Sequence, residues 1–397
     1  MATDFDVTEF ELEWPAPSHY YTFDFDGNLM IRDTKDVPSS TGDSRTYEFE
    51  NNNNMTLTFL NVTIRLNTTS NSDYTFVFDI FTTGVIRIID SEISASHYRS
   101  STIVLEGSEV LIRNSTIWSG TKKTDSGPTC NWYDSESTCS NAGKYAYLKS
   151  YLTLIADNLT IEDSDLKASS EMTSTTGNYC CGNKYWRKAW TYVTIDIESN
   201  MTVHDSQILA FIRNNGPDNE NDDATLDYDI SSKNLEVHDS ILKGRRVDGD
   251  KDYNFDFEVL SGEFKDSTIS SSPESEGTSS QSTLVFGELW MSNSTFGDAS
   301  SANYYIYVKN LTDEANATSG DVYIFNSTIR FNTTSDSDYT FVFDIFTTGD
   351  IRIIDSEINA THYRTSTIEL EGSELLIQNS TIWSGTKKTD SGPTCNW

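Results

Sequence analysis

Hydrophobic residues recur along the chain at fixed distances from a polar anchor, an Asp or Asn that is usually followed by Ser. The positions two and four residues before the anchor are apolar, apart from Gly262. The third residue after it is also apolar, except in the first row, where Asp36 stands beside Val37. The twelve anchors are Asp33, Asn61, Asp90, Asn114, Asp163, Asp205, Asp239, Asp266, Asn293, Asn326, Asp355 and Asn379.

This pattern predicts a strand, a sharp turn and a second strand in every row. Successive side chains of a strand point to opposite faces, so apolar residues at −4 and −2 share one face. The apolar residue at +3 breaks that alternation, and the chain must therefore bend near the anchor. Asp and Asn suit the bend because they adopt the left-handed backbone conformation more readily than most residues.

The spacing of the rows predicts a parallel β-solenoid. Successive anchors lie 24 to 49 residues apart, which describes stacked coils with loops of variable length. Twelve coils at one strand spacing each would be about 58 Å long. An antiparallel β-sandwich pair is the alternative, but it would not require the same apolar columns in every row.

Four of the rows, "NLTIEDSDL", "NMTVHDSQI", "LLIQNSTI" and "IRIIDSEI", resemble the rungs of right-handed parallel β-helices. Such rungs occur in the pectin-lyase-like superfamily and in adhesin-like surface proteins of archaea and bacteria. The resemblance covers residues 23–397 and implies an all-β, right-handed parallel β-helix. It concerns a rung pattern rather than a catalytic signature, so it indicates the fold more strongly than the function.

A long repeat encloses the short one. Residues 61–132 align without a gap with residues 326–397, and ten of the 72 positions differ. This identity predicts tandem duplication of a unit near 265 residues. The second copy stops before the counterpart of Cys139, so we expect the sequence to be part of a longer array.

Residues 1–22 are predicted to be separate from the helix. Alternating apolar residues in "DVTEFELEW" indicate a strand, and Pro15 and Pro17 form a stiff hinge after it. This strand would cap the first rung of its own chain or pair with the open end of another molecule.

The five cysteines predict disulfide-stapled loops. Cys130, Cys139, Cys180 and Cys181 fall in two excursions, roughly 118–147 and 168–190, and Cys395 repeats Cys130. Because there is no CxxC pair and His is scarce, disulfides are favoured over a metal site. Cys130 and Cys139 would pair with each other or with the vicinal Cys180 and Cys181.

The net charge and the number of glycosylation sequons limit the classes of partner and the cellular location that we expect for this protein. The formal charge of −33 argues against nucleic acid as a partner, and no apolar run is long enough to insert into a membrane. An excess of Asn-x-Ser/Thr sequons favours an extracellular, cell-surface glycoprotein. The thirteen sequons are Asn54, Asn61, Asn67, Asn114, Asn158, Asn200, Asn293, Asn310, Asn316, Asn326, Asn332, Asn359 and Asn379.

Two segments are candidate binding sites. Asp248, Asp250 and Asp252 alternate in "VDGDKDYNFDFE" and would hold Ca²⁺ or form a solvated strand face. Tyr185, Trp186, Arg187 and Trp190 would form a sugar-binding or subunit-contact patch, or a small satellite core.

Two polar features of the rungs are also predicted. His204 and His238 should stack on consecutive rungs as a polar exterior ladder. Asp222–Asp223 reads as a solvated acidic turn, because the other residues of a polygalacturonase-like site do not accompany it.

The sequence therefore favours a non-catalytic structural protein over an enzyme. We expect a glycosylated rod that associates end to end into a surface filament, sheath or adhesin, with Ca²⁺ as the one candidate cofactor. A carbohydrate-binding β-helix, or a polysaccharide lyase or hydrolase, is the alternative.

Overall fold

The structure is a computed structural model that describes residues 5–8, 18–24, 28–33, 35–36, 44–51, 54–67, 74–125, 146–174, 187–215, 222–247, 252–273, 280–299, 302–309, 320–332 and 339–386. Within these ranges the chain forms 31 strands. In chain order they are β1 (Phe5–Thr8), β2 (Ser18–Asp24), β3 (Leu29–Arg32), β4 (Lys35–Asp36), β5 (Ser44–Asn51), β6 (Leu57–Leu60), β7 (Thr63–Asn67), β8 (Thr75–Thr82), β9 (Val85–Ile89), β10 (Glu92–Tyr98), β11 (Ser100–Arg113), β12 (Thr116–Asp125), β13 (Ala146–Glu162), β14 (Asp165–Ser174), β15 (Arg187–His204), β16 (Gln207–Asn215), β17 (Asp222–His238), β18 (Ile241–Val247), β19 (Tyr253–Lys265), β20 (Thr268–Pro273), β21 (Ser280–Ser292), β22 (Thr295–Ala299), β23 (Asn303–Val308), β24 (Val322–Phe325), β25 (Thr328–Asn332), β26 (Thr340–Phe346), β27 (Asp350–Ile354), β28 (Glu357–Tyr363), β29 (Thr365–Glu371), β30 (Glu374–Gln378) and β31 (Thr381–Thr386).

Each coil has three sides, as the coil around Asp90 illustrates. Strand β8 forms side 1, β9 forms side 2, and β10, after the anchor turn, forms side 3. In the longer coils one strand, such as β13, covers sides 1 and 2 and bends at the corner between them. Among the described residues, side 3 is a twelve-stranded sheet in which each strand pairs in parallel with the strands of the coils before and after it. The predicted parallel β-helix of twelve coils is therefore confirmed.

The apolar columns line the interior. The residues at −2 are buried in eleven coils, from Ile31 to Ile353, and those at +3 are buried in ten, from Ile64 to Ile358. Aromatic rings also pack in the core, as in the contact between Phe59 and Phe78, whose centroids are 5.7 Å apart.

The turn has the predicted conformation. All twelve anchors have φ between 45° and 53°, the left-handed region that Asp and Asn tolerate best after glycine. Between several pairs of neighbouring coils, the side-chain amide of an anchor Asn donates to the anchor side chain of the preceding coil, for example Asn114 Nδ2 to Asp90 Oδ1 at 2.7 Å. Neighbouring turns are thereby tied together.

A continuous serine ladder explains why Ser follows the anchor. In nine of the ten ladder serines the backbone N–H donates to the hydroxyl of the ladder serine in the next coil at 3.0–3.2 Å. Each hydroxyl in turn donates to the carbonyl two residues before it at 2.6–2.8 Å. The ladder consists of Ser91, Ser115, Ser164, Ser206, Ser240, Ser267, Ser294, Ser327, Ser356 and Ser380. Buried backbone N–H groups of the turn are thus satisfied.

Replacing Asp239 with valine should destabilise the protein by about 1–2 kcal/mol, because a β-branched residue is strained at the positive φ of this anchor. Asp239→Asn should have almost no effect, since Asn occupies the same position in five other coils. Urea unfolding of the two variants provides the measurement, and equal losses would show that the left-handed turn does not select the residue.

Several boundaries differ from the sequence prediction. The strands continue further than expected, with β12 ending at Asp125 and β14 at Ser174, so the excursions are shorter than 118–147 and 168–190. Asp222–Asp223 is not a turn, because both residues begin β17 in register with Arg187 and Lys188 of β15. The composition of this acidic segment did not reveal that its last two residues, Asp222 and Asp223, begin a strand.

The N-terminal strand β1 adds to side 2. Strand β1 pairs in parallel with β3, with Phe5 opposite Leu29 and Thr8 opposite Arg32. Its backbone thus extends side 2 by one strand before the first coil.

The two copies of the long repeat fold alike. The ion pair between Arg65 and Glu92 recurs between Arg330 and Glu357. Burial differs, however, in the last coil. Ile112 is 0% exposed beneath the next coil, whereas its counterpart Ile377 is 43% exposed, because no described coil follows it.

Candidate functional site

Two columns of aromatic rings lie on the outer surface of side 1. Trp190 stacks on Tyr147 with centroids 5.9 Å apart, and Tyr192 stacks on Tyr151 at 4.9 Å, both nearly parallel. These residues alternate with buried ones such as Leu152, so the strand pleat directs the rings outward. We refer to these four residues as the aromatic columns.

Cations surround the aromatic columns. The Lys149 ammonium lies 5.2 Å from the centre of the Trp190 ring, and the Arg99 guanidinium lies 5.8 Å from that of Tyr147. Such contacts hold the rings in place and make the surface amphipathic. Half-buried, flat rings flanked by hydrogen-bond donors are suited to stacking on sugar rings.

The sequence-predicted patch overlaps the columns in part. Trp190 is a member and the backbone of Arg187 begins the same strand, whereas Tyr185 and Trp186 lie outside the described residues. Tyr147 and Tyr151 were missed because β15 carries an extra residue at its corner, between Ile197 and Asn200. Counting back from the anchors would have revealed the columns if this bulge had been foreseen.

A row of carboxylates follows on the same side in the next coils. We call Asp196, Asp227, Asp229, Asp252, Asp256 and Glu258 the acidic row. Asp229 stands in register with Asp256, and Asp227 with Asn254, on strands β17 and β19. Asn254 Nδ2 donates to Asp227 at 2.7 Å, and the Thr283 N–H donates to Asp256 at 3.0 Å.

Burial, and after it the charge of neighbouring carboxylates, raises the pKa values of three members of the acidic row, Asp227, Asp229 and Asp256. Desolvation, followed by the charges of Asp256 and Asp227, raises the pKa of Asp229 from 3.8 to about 6. Desolvation also raises the pKa values of Asp227 and Asp256. Since the outer surface of Asp229 is exposed, solvent screens part of this repulsion, and the direction of the shift is what matters. A carboxyl of this kind can exchange a proton near neutral pH.

The stability of the protein should fall as the pH rises from about 4 to about 6. A carboxyl whose pKa is higher in the folded chain contributes stability that is complete below its unfolded pKa of 3.8 and lost as the pH passes about 6. Asp229→Asn should flatten this part of the profile, measured as the urea midpoint at each pH. Asp355→Asn, which removes a carboxylate from an anchor outside the row, should leave the profile unchanged, and equal flattening by both would contradict the assignment.

The predicted Ca²⁺ ligands are only partly described. Asp248 and Asp250 lie outside the described residues, and Asp252 is exposed just before β19. In the described part of the chain, no group of three His, Cys, Asp or Glu side chains is arranged to hold a metal ion.

A cleft of about 530 Å³ lies at the corner between sides 1 and 2. Phe81 and Gly107 line it together with the carboxylates of Glu106, Asp157 and Glu198. Its acidic lining continues the charge of the neighbouring acidic row, because Asp196 belongs to both.

The predicted histidine ladder is present. His204 and His238 stack on consecutive coils with ring centroids 6.2 Å apart. His204 Nδ1 lies 2.9 Å from the carboxylate of Asp205, and His238 Nε2 lies 3.8 Å from that of Glu263. The histidines therefore lie beside the column of anchor carboxylates.

The turn explains five of the thirteen sequons. Asn61, Asn114, Asn293, Asn326 and Asn379 are anchors, and the Thr two residues later begins side 3. The Asn of these five sequons therefore has a structural role in the turn, independent of any glycan. Each of these side chains is exposed, and a glycosylated amide retains one N–H for the bond to the preceding anchor.

The other sequons occupy several environments. Asn158 and Asn200 form an exposed ladder at the corner, where Asn200 Nδ2 donates to Asn158 at 2.8 Å. Asn54 is exposed at a positive-φ bend. Asn67, Asn332 and Asn359 lie in side 3 strands, and the Asn359 amide oxygen is buried. Asn310 and Asn316, together with all five cysteines, Cys130, Cys139, Cys180, Cys181 and Cys395, lie outside the described residues.

Comparison with known proteins finds no matching family model, no matching curated protein and no matching solved structure. The described ranges contain no helix long and apolar enough to cross a membrane.

Proposed function

We propose that this protein is a non-catalytic extracellular structural protein, a glycosylated β-helical rod that forms or decorates a surface filament, sheath or adhesin. The observation that carries the proposal is the uniform turn, since all twelve anchors share one backbone conformation. Coils of one cross-section can be duplicated without new packing, because each contacts only its neighbours. The rung resemblance to pectin-lyase-like and adhesin-like surface proteins supports the same role.

Electron micrographs of native material, labelled with an antibody to this chain, test the proposal. The expected result is labelled filaments in which rods are joined end to end at the cell surface. Labelled monomers dispersed in the medium or inside the cell would contradict it. A mass decrease after enzymatic removal of N-glycans should accompany the filaments.

Carbohydrate binding is the second candidate, and the aromatic columns favour it. Trp190→Ala should abolish binding to a glycan array, because the stacking surface is lost. Trp290→Ala is the matched control, since Trp290 also stacks outward, on Tyr323 at 4.1 Å, but lies on side 2. Equal losses in both variants would argue against the columns as the binding site. If the protein instead cleaved polysaccharide, Asp229→Asn would abolish cleavage while retaining binding.

A further inference from the structure

A cluster of cations covers the outer surface of side 3, in contrast to the acidic protein around it. We call Lys122, Lys167, Arg213, Lys243 and Arg245 the basic patch. They occupy outward positions on four successive strands, β12, β14, β16 and β18. Elsewhere on this sheet, Arg65 and Arg330 each pair with a carboxylate of the next coil.

Aromatic rings organise the basic patch. The Lys167 ammonium lies 4.9 Å from the centre of the Trp118 ring and 5.7 Å from that of Phe211. The guanidinium groups of Arg213 and Arg245 lie 5.7 and 5.9 Å from the Phe211 centre. Three cations around one ring form a dense positive surface with an apolar centre.

One carboxylate of the same sheet, Glu171, lies among the cations of the basic patch. Lys122 lies 3.7 Å from Glu171, and Glu171 is in register with Arg213. Desolvation lowers the pKa of Lys167, the charge of Glu171 raises it, and that of Lys122 lowers it again. A surface of this kind attracts an anionic partner.

The acidic row on side 1 is complementary to the basic patch in the sign of its charge, in the spacing of its charges and in its position along the rod axis. Leu209 separates Lys167 from Lys243 in one column of the patch. Ser231 separates Asp196 from Glu258 in one column of the row. Like charges in both columns therefore recur at two strand spacings, about 9.6 Å. The coils anchored by Asp205 and Asp239 carry members of both, because β15 and β17 contribute carboxylates and β16 and β18 contribute cations. If two copies lay side by side in parallel, displaced by about one coil along the rod axis, several cations of one patch would face carboxylates of the other copy's acidic row.

We propose that the basic patch of one molecule binds the acidic row of a second copy, so that the rods associate laterally as well as end to end. This inference rests on the proposed structural function and specifies how filaments are bundled. The contact joins two different surfaces, so it does not close on a pair and continues from rod to rod. Desolvation is the larger cause of the raised pKa values of Asp227, Asp229 and Asp256, and a cationic partner would offset the smaller contribution from neighbouring carboxylates.

A charge exchange tests the contact. The first variant, Arg213→Glu with Lys243→Glu, makes side 3 acidic, and the second, Asp229→Lys with Glu258→Lys, makes side 1 basic. In about 0.02 M salt the natural chain should form lateral oligomers in sedimentation velocity, and about 0.5 M salt should dissociate them. For each variant alone, the association constant should fall at least about tenfold. An equal mixture of the two variants should recover the association of the natural chain.

The control carries Arg87→Glu and Arg113→Glu, which make the same change in net charge on side 2, and it should associate as the natural chain does. Circular dichroism checks that each variant keeps its β-structure.

The proposal is overturned if the mixture does not associate, if either variant associates alone as the natural chain does, or if the natural chain stays monomeric in low salt. Loss of dextran sulfate binding in the first variant, with a monomeric natural chain, would assign the patch to a polyanion instead. End-to-end filaments without lateral contacts would leave the structural function standing and refute this inference alone.

Discussion

Replacing Ile112 with alanine should destabilise the protein by about 2–5 kcal/mol, whereas the same change at Ile377 should cost about 1 kcal/mol or less. The two residues occupy the same place in the two copies of the long repeat. Ile112 is completely buried because the next coil covers it, and its truncation leaves a cavity. Ile377 is 43% exposed, so water and neighbouring side chains can fill the space.

Urea unfolding of the 397-residue chain measures both variants against the same 397 residues without a substitution. The surroundings in sequence are closely similar, because both copies continue with Asn-Ser-Thr-Ile-Trp-Ser-Gly and the nearest differences are Val110 against Leu375 and Arg113 against Gln378. The difference therefore reports the covering coil rather than local sequence. Equal losses would show that the coils do not bury one another in the way described.

Ser115→Ala should cost about 1–3 kcal/mol, and Ser380→Ala less than about 1 kcal/mol. The Ser115 hydroxyl accepts from the Ser91 N–H at 3.1 Å and donates to the Arg113 carbonyl at 2.7 Å. Alanine would leave the Ser91 N–H without its acceptor in the interior, whereas the Arg113 carbonyl would keep its bond from the Asp90 N–H at 3.0 Å. Ser380 makes the same two bonds to Ser356 and Gln378, but its side is open to water, which can replace them.

Native-state hydrogen exchange provides a second measurement of the ladder. In Ser115→Ala, the amide of Ser91 should exchange faster, because its acceptor is gone. The amide of Ser206 should keep its protection, since Ser206 lies two coils from Ser115 and donates to Ser240 in the coil after its own. Uniform loss of protection along the ladder would instead indicate that the whole solenoid opens as one unit.

The fold could be predicted from the sequence because each coil repeats the same local requirements. The apolar residues at −4, −2 and +3 determine which side chains face inward, and the anchor determines where the chain turns. The serine after the anchor had no assigned role in the sequence, since its hydrogen bonds join residues of different coils. Such bonds appear only when the register is known.

The candidate sites were harder to predict because they form across coils with loops of different length. Trp190 and Tyr147 are far apart in sequence, and the corner bulge in β15 hides their register. The basic patch was missed altogether, since its cations are dispersed among β12, β14, β16 and β18. An outward column can be read only after the strands are aligned on their anchors.

Fibre diffraction from aligned native filaments tests the central claim most directly, that this chain is a structural rod of stacked coils. Strands that run across the rod axis, stacked in coils along it, should give a meridional reflection at about 4.8 Å. A 4.8 Å reflection on the equator, or none in filaments shown to contain this chain, would contradict the account.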